Sequence, residues 1–333
     1  MPLNNQLYIA FDGGGTKTEC LIGDSHGRIW ATVKGSSTNL KSRSAEKVRE
    51  EIHHLLDELF QKENITKNQI KGVFVSTAGG DREEDRKRWE QWILAYGIKP
   101  YQLNIANDAV AALASGTKAK NGIVLIAGTG SIAYSVNDGV EKPIRVGGWG
   151  YLLGDEGSGY DIGNKALRMI IHSHDGRDDK REKFAGYILE QIGLDNPDQL
   201  ITFIYENPYP RKLIASIAKH VISLAEQGEP AAKAIIQQAI DQLMELVVPL
   251  IRHDGIQIPL VVSGGLFLST YFKQTFKKSM QLKSYTFPII SPQYPPVVGA
   301  YMNALIQGGE MMTDEVENNI NQSWNRADTE AEK

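Results

Sequence analysis

The stretch LYIAFDGGGTKTECLIGD, residues 7–24, decides the fold. Leu7–Phe11 is a β-rich apolar run that stops at Asp12 and three glycines, and Thr18–Asp24 resumes strand-like residues. Ser25–Gly27 is turn chemistry, and Ile29–Val33 again reads as a strand. Three short strands joined by tight turns therefore open the chain. Working outward, Ser44–Glu63 places Val48, Ile52, Leu55, Leu56, Leu59 and Phe60 at helical spacing, one apolar stripe. Ile70–Ser76 reads as a strand, Arg86–Tyr96 as a helix, Leu103–Ala106 as a strand and Ala109–Ser115 as a helix. Strands followed by alternating helices and strands make an α/β layered pattern.

The opening then recurs. Gly122–Ala127 is an apolar strand ending in Gly128, Thr129 and Gly130. Ser131–Val136 alternates, Asn137–Gly139 is a turn, and Pro143–Val146 is a third short strand. Two related α/β domains are expected. The first spans 1–115 and is joined by a C-terminal helix at 297–308. The second spans 116–296 and carries a helical insertion, whose best segment is Pro230–Ile251. Pro259–Ser263 reads as a buried strand ending at Gly264 and Gly265, with a helix from Leu266 and a further strand at Thr286–Ile290. A last helix, Val297–Ile306, follows Pro295 and Pro296. Residues 309–333 are polar and acidic, and a disordered tail is expected there.

Composition narrows the function. The 333 residues are 41% apolar and 23% charged, an ordinary globular balance. Net charge is −4, which argues against a nucleic-acid partner, since neutralising phosphates needs a basic excess. The single cysteine, Cys20, excludes an internal disulfide, a multi-cysteine zinc site and an iron–sulfur cluster ligated within one chain. No membrane segment or signal peptide is read from the pattern, so the cytoplasm is the expected location. Homodimer formation is left open.

Several segments carry chemistry. In Asp12-Gly13-Gly14-Gly15-Thr16-Lys17-Thr18, side-chain-free turn residues let backbone N–H groups face an anion. Thr16 and Thr18 add hydroxyl donors, and Lys17 can approach a phosphate. Asp12 would be repelled by phosphate but can hold a hydrated Mg²⁺. A glycine-rich hairpin without a ligand is the plain alternative. A Walker loop is excluded because no GKS or GKT follows an upstream glycine. A Rossmann loop is excluded because residues 19–23 read as a strand, not a helix. Gly128-Thr129-Gly130-Ser131 occupies the same place in the second domain, so a nucleotide whose phosphates bridge a cleft is suggested. Gly264 and Gly265 let a flat ligand approach the backbone, or simply allow close packing. Asp108 follows a strand and precedes a helix. It is either the helix N-cap or a general base. The glycine-rich segment Gly147–Gly159 sets Trp149 beside Asp155 and Glu156, an aromatic face and acceptors that suit a sugar. Arg145, just upstream, is taken as a solvated strand-end residue, and His172 and His174 as a solvated helix end.

The combination resembles the N-acetylglucosamine kinase family of the sugar kinase/actin/Hsp70 superfamily. DGGGTKT at 12–18, STN at 37–39, NDA at 107–109, GTGS at 128–131, GGWG at 147–150, GDEGS at 154–158 and SGG at 263–265 occur in that family's order. The resemblance runs from residue 7 to about 306. It implies two ribonuclease-H-like, actin-like ATPase domains with ATP, Mg²⁺ and sugar in the interdomain cleft. Carried over, Asp12 would lie near Mg²⁺. Gly13, Gly14, Gly15, Thr16, Lys17, Thr18, Gly128, Thr129, Gly130, Gly264 and Gly265 would hold ATP. Asn39, Asp108, Gly148, Trp149, Gly150 and Asp155 would hold an amino sugar, with Asp108 as the base. The implied reaction is phosphorylation of the 6-hydroxyl of N-acetylglucosamine, with N-acetylmuramic acid open as a second acceptor. A non-catalytic ATP-dependent switch or sugar sensor on the same fold is the competing reading. An activator ATPase of a dehydratase is disfavoured, because that class bridges a cluster with two cysteines from each subunit.

Overall fold

The computed structural model describes residues 6–331 apart from 16, 42, 64, 120, 138–142, 178–180, 255–257 and 286. The chain divides into two compact units, residues 1–120 with 292–333, and residues 121–291.

In the first unit, β1 (Leu7–Gly13), β2 (Lys17–Asp24), β3 (Ile29–Ser36), β4 (Ile70–Thr77) and β5 (Gln102–Asn107) form one sheet in the order β3-β2-β1-β4-β5. The opening meander pairs antiparallel, Leu7 facing Asp24 and Gly13 facing Thr18. β4 and β5 join in parallel through crossover helices. Those helices are α1 (Ala45–Glu63) and α2 (Glu83–Ala95), and α3 (Asp108–Thr117) follows β5. The strand period of two splits β1 between two layers. Leu7, Ile9 and Phe11 pack with the α1 stripe of Val48, Ile52, Leu55, Leu56 and Leu59 and with Trp89. Tyr8 and Ala10 face the other way, toward Tyr301, Val298 and Leu305 of α11 (Pro296–Gln307). Cys20 is fully buried, as its strand position implies.

The second unit repeats the plan. Its strands β6 (Gly122–Ala127), β7 (Ser131–Val136), β8 (Ile144–Gly147), β9 (Leu260–Ser263) and β10 (Ile289–Ile290) are ordered β10-β9-β6-β7-β8. Reversed, that is the order of the first sheet, with the same antiparallel meander and the same parallel additions. The expectation of two related α/β units is met. The expected strand at Thr286–Ile290 is confined to its last two residues, and Thr286 lies outside the described residues. Between β8 and β9 the chain forms α4 (Gly159–His174), α5 (Glu182–Gln191), α6 (Leu200–Tyr205), α7 (Pro210–Ser216), α8 (Ala218–Glu226) and α9 (Pro230–Asp254). α9 is long and apolar enough, by length and composition, to cross a bilayer. Here Ile235, Ile236, Ile240, Leu243 and Val247 are instead buried in the core of this unit. The helix expected from Leu266 is a 3-10 turn at Gly265–Leu268 followed by α10 (Thr270–Leu282).

The tail corrects the reading of 309–333 as disordered. Asp314–Ala331 forms α12. Val316, Ile320 and Trp324 fall four residues apart, and this single stripe is buried in the α11 layer. Three apolar residues suffice because they share one face. Polar contacts fix the helix: the Ile29 N–H donates to Ser323 Oγ at 2.9 Å, and Asn319 Nδ2 donates to the His26 carbonyl at 2.8 Å. Ile320 is fully buried. Ile320→Ala is therefore expected to cost about 2–5 kcal/mol in urea unfolding. A solvated tail would leave stability within about 0.5 kcal/mol.

Candidate active site

In the first unit the chemistry gathers at the ends of β1, β4 and β5. The sequence places glycine at 13 for a steric reason. A Cβ there would lie 2.4 Å from Thr38 Oγ1 and 2.9 Å from Thr77 Oγ1. The turn closes through a 3.0 Å bond from the Gly14 N–H to the Lys17 carbonyl. Ser37 Oγ donates to the Gly14 carbonyl at 2.9 Å, and the Thr18 and Thr38 hydroxyls meet at 2.9 Å. Asn39 is thereby brought to the turn, its Nδ2 being 3.8 Å from where a Gly15 side chain would begin. Lys17 is exposed and donates to Glu19 at 2.5 Å, so its ammonium rests on a carboxylate of its own strand. Thr16 lies outside the described residues. Thr77 Oγ1 is buried with no hydrogen-bond partner, a polar group left over at the head of the sheet.

Asp12 and Asp108 belong to this cluster. Burial pushes the Asp12 carboxyl up to about 8, and repulsion from Asp108 and Glu19 adds to it, while Lys17 pulls it down. Burial also pushes Asp108 up, and Asp81 adds repulsion. The N–H groups of Ala109 and of Asp108 itself hold it down, so it stops at about 6. The helix-cap alternative for Asp108 is corrected by its neighbour. Asn107 is the N-cap of α3, accepting from the Ala109 N–H at 3.0 Å, and Asp108 is the first helical residue.

Asp12 suits a Mg²⁺ that keeps most of its ligands elsewhere. Among the described residues, no group of three or more His, Cys, Asp or Glu side chains is arranged to hold a metal ion. Mg²⁺ does not need such a cage, because one or two carboxylates with waters and phosphate oxygens complete its octahedron. A carboxyl crowded by other acids gains most from a cation.

In the second unit, Gly128–Gly130 makes the matching turn, closed by a 2.9 Å bond from the Gly128 N–H to the Gly130 carbonyl. Gly264 is in the left-handed region at φ 96°, and a Cβ there would lie 2.4 Å from the Ala127 carbonyl oxygen. Gly265 has open space where a side chain would be. A cavity of about 640 Å³ opens beside these loops, lined by Gly128, Thr129, Gly265, Lys212, Lys219 and Glu226. That volume is within the range of small-ligand sites. The predicted phosphate turn and the predicted adenosine-lining glycine thus share one cavity.

The segment Gly147–Gly159 is tied back onto this turn. The Gly148 N–H donates to the Ser131 carbonyl at 3.1 Å, and Ser131 Oγ donates to the Glu156 carbonyl at 2.7 Å. Trp149 is 65% exposed, and the Arg145 guanidinium stacks 4.6 Å from its ring centre. Arg145 is exposed near the start of β8, as expected from sequence, and its guanidinium also leans on that exposed ring. Gly150 adopts φ 86° with open space around it. Asp155 is buried, sits at φ 65°, and pairs with Arg211 Nη2 at 2.7 Å. His172 and His174 end α4 in its last turn, as expected.

Sequence reasoning missed Asp81, Lys212, Lys219 and Arg211. Asp81 carried a weak signal, a glycine pair before an acidic residue at the end of a strand. The three cations fall in the helical insertion, where no motif marks them.

The model of the BadF/BadG/BcrA/BcrD ATPase family matches residues 11–304. An N-acetylmuramic acid/N-acetylglucosamine kinase of Clostridium acetobutylicum is 33% identical over 303 residues, 90% of this chain and 98% of that protein. The N-acetyl-D-glucosamine kinase of Dictyostelium discoideum is 31% identical over 277 residues, 79% of this chain and 86% of that protein. In shape, the chain is similar to a Chromobacterium violaceum protein assigned as a candidate N-acetylglucosamine kinase, with a TM-score of 0.70 at 22% identity, covering 91% of this chain and 100% of that one. The fold is thus that of the two-domain, actin-like sugar kinases. On the extent of the family match and the identity to curated relatives, this chain belongs to the BadF/BadG/BcrA/BcrD ATPase family.

Proposed function

We propose that this chain is an ATP-dependent amino-sugar kinase that transfers the γ-phosphoryl group of ATP to the 6-hydroxyl of N-acetylglucosamine, with N-acetylmuramic acid as a second acceptor. The observation that carries the reading is Asp108. It stands at the head of α3, released from capping by Asn107, with its carboxyl pushed up to about 6. A base is most useful when its pKa is near working pH, since it is then ionised yet still able to take a proton. A mere sensor would not need it.

The turns formed by Gly13, Gly14, Gly15, Thr16, Lys17 and Thr18 and by Gly128, Thr129 and Gly130 are assigned to the phosphates, the Gly14 and Gly128 N–H groups holding the turns closed. Gly264 and Gly265 are assigned to the nucleoside. Mg²⁺, held near Asp12, supplies charge neutralisation for the phosphoryl group. Asn39, Asp108, Gly148, Trp149, Gly150 and Asp155 are assigned to the sugar. The relatives named for kinase activity on these sugars support the acceptor class.

The test compares kcat/KM for N-acetylglucosamine, N-acetylmuramic acid and glucose, with the phosphorylated position read by NMR. N-Acetylglucosamine is expected to exceed glucose by at least about tenfold, because polar groups built for an acetamido substituent are left unpaired by glucose. Equal values for these two would mean that no acetamido pocket exists. Absence of a phosphorylated product across the panel would remove the reading entirely.

A further inference from the structure

α7 is seven residues long, lies inside the helical insertion and carries no family motif. Yet its second residue, Arg211, reaches the segment assigned to the sugar. Arg211 Nη2 donates to Asp155 Oδ2 at 2.7 Å. The other carboxylate oxygen of Asp155 accepts from the Ser131 N–H at 3.3 Å, at the end of the Gly128–Gly130 turn. A Cβ on Gly130 would lie 2.8 Å from both Arg211 Nη2 and Asp155 Oδ1. A side chain at 130 would therefore press on this three-way contact. The Arg211 guanidinium also lies 5.3 Å from the ring centre of Tyr151, which meets Tyr160 edge-on.

Two costs accompany the arrangement. Asp155 has a left-handed backbone at φ 65°, a region that side-chain-bearing residues seldom adopt. Arg211 Nε is buried without a hydrogen-bond partner. A contact that merely filled space would not hold both. The charged hydrogen bond between the two side chains offsets them, and it fixes where the Asp155 carboxylate points.

We propose that Arg211 is a positioning residue for the sugar: it locks Asp155, and with it the 147–158 segment, against the 128–131 turn. The inference rests on the assignment of Asp155 to the sugar. Burial raises the Asp155 carboxyl, Glu156 adds to that, and Arg211 with the Ser131 N–H opposes it. Loss of Arg211 would thus both free the carboxylate to move and make it easier to protonate.

The experiment is a double-mutant cycle of Arg211→Ala and Asp155→Asn in the full chain, with Arg211→Lys alongside and thermal melting to establish folding. The readouts are kcat, KM for N-acetylglucosamine and the pH profile of kcat/KM. Arg211→Ala is expected to raise sugar KM and lower kcat/KM by on the order of 10²-fold, the scale of a misplaced substrate contact. The acid limb, set by Asp108 in the wild type, should gain a second contribution from Asp155 at its high-pH side, because the group that holds the Asp155 carboxyl down is gone. Arg211→Lys should restore part of the loss and return the limb toward its wild-type position. In the Asp155→Asn background, Arg211→Ala should add less than about twofold, since coupled residues are not additive. An equal loss in both backgrounds, or a folded Arg211→Ala with unchanged KM and pH profile, would overturn the proposal. Full activity of Asp155→Asn by itself would instead remove the sugar assignment on which it rests.

Discussion

Asp108→Asn is expected to lower kcat by about 10²–10⁴-fold, the usual contribution of a general base, while sugar affinity changes by less than about tenfold, or 1.4 kcal/mol. The amide keeps the shape and the helix position, and α3 keeps its Asn107 cap, so folding should be intact. What is lost is the ability to accept the hydroxyl proton. The pH dependence has a defined sign. Asp108 acts only when ionised, and its carboxyl is pushed up to about 6 by burial, with Asp81 adding to that. Wild-type kcat/KM should therefore fall as pH drops through about 6, and the residual activity of the variant should not follow that limb. Steady-state kinetics from pH 5 to 8 on both proteins decides it. An unchanged kcat would leave Asp108 as a first-turn helix residue and nothing more.

Asp12→Asn should separate stability from activity. Burial, Asp108 and Glu19 push the Asp12 carboxyl up to about 8 in the folded chain, against the ordinary 3.8. The folded state thus holds a proton that the unfolded state releases between those values. Stability contributed by this group is present below about pH 4 and is lost as pH rises through about 8. Replacing the acid with Asn removes that loss. The ligand-free variant should melt higher than wild type at pH 8, by on the order of 2–4 °C for each kcal/mol relieved. The gap should close as pH falls toward 4. Activity should move the opposite way, by on the order of 10²–10³-fold in kcat, because the carboxylate assigned to hold Mg²⁺, whose charge would neutralise the phosphoryl group, is gone. A variant that melts like wild type at pH 8 would show that the Asp12 carboxyl is not raised in the folded chain. A variant that keeps full kcat would remove Asp12 from the phosphate site.

Much of this molecule is legible in its sequence. The strand period in Leu7–Phe11 set two layers, and the helical period in Val48–Phe60 set the helix that covers one of them. The glycine turns at 13–15 and 128–130 were legible because a backbone that must approach something closely excludes Cβ, which the residue type states directly. The duplication was legible because strand, turn, strand recurs with the same chemistry, and both sheets have the same order. Such signals are local, since period and turn preference act over a few residues.

Tertiary structure decided what depends on residues far apart meeting. The tail became a helix because Val316, Ile320 and Trp324 found an apolar layer to which β3 contributes Ile29 beside residues of β1, β2 and α11, a surface no window of the tail contains. Asp108 was a candidate base or cap in the sequence; the folded chain gave the cap to Asn107 and raised the Asp108 carboxyl through burial, with Asp81 adding repulsion. Arg211 and Asp155 are 56 positions apart, and their ion pair exists because the helical insertion returns to the Gly128–Gly130 turn. The sequence by itself determined the layers, the turns and the residue types able to handle phosphate and sugar, because these follow from short-range periodicity and sterics. Only the folded chain decided which charges face one another, because burial and Coulomb repulsion depend on distance in space and not on distance along the chain.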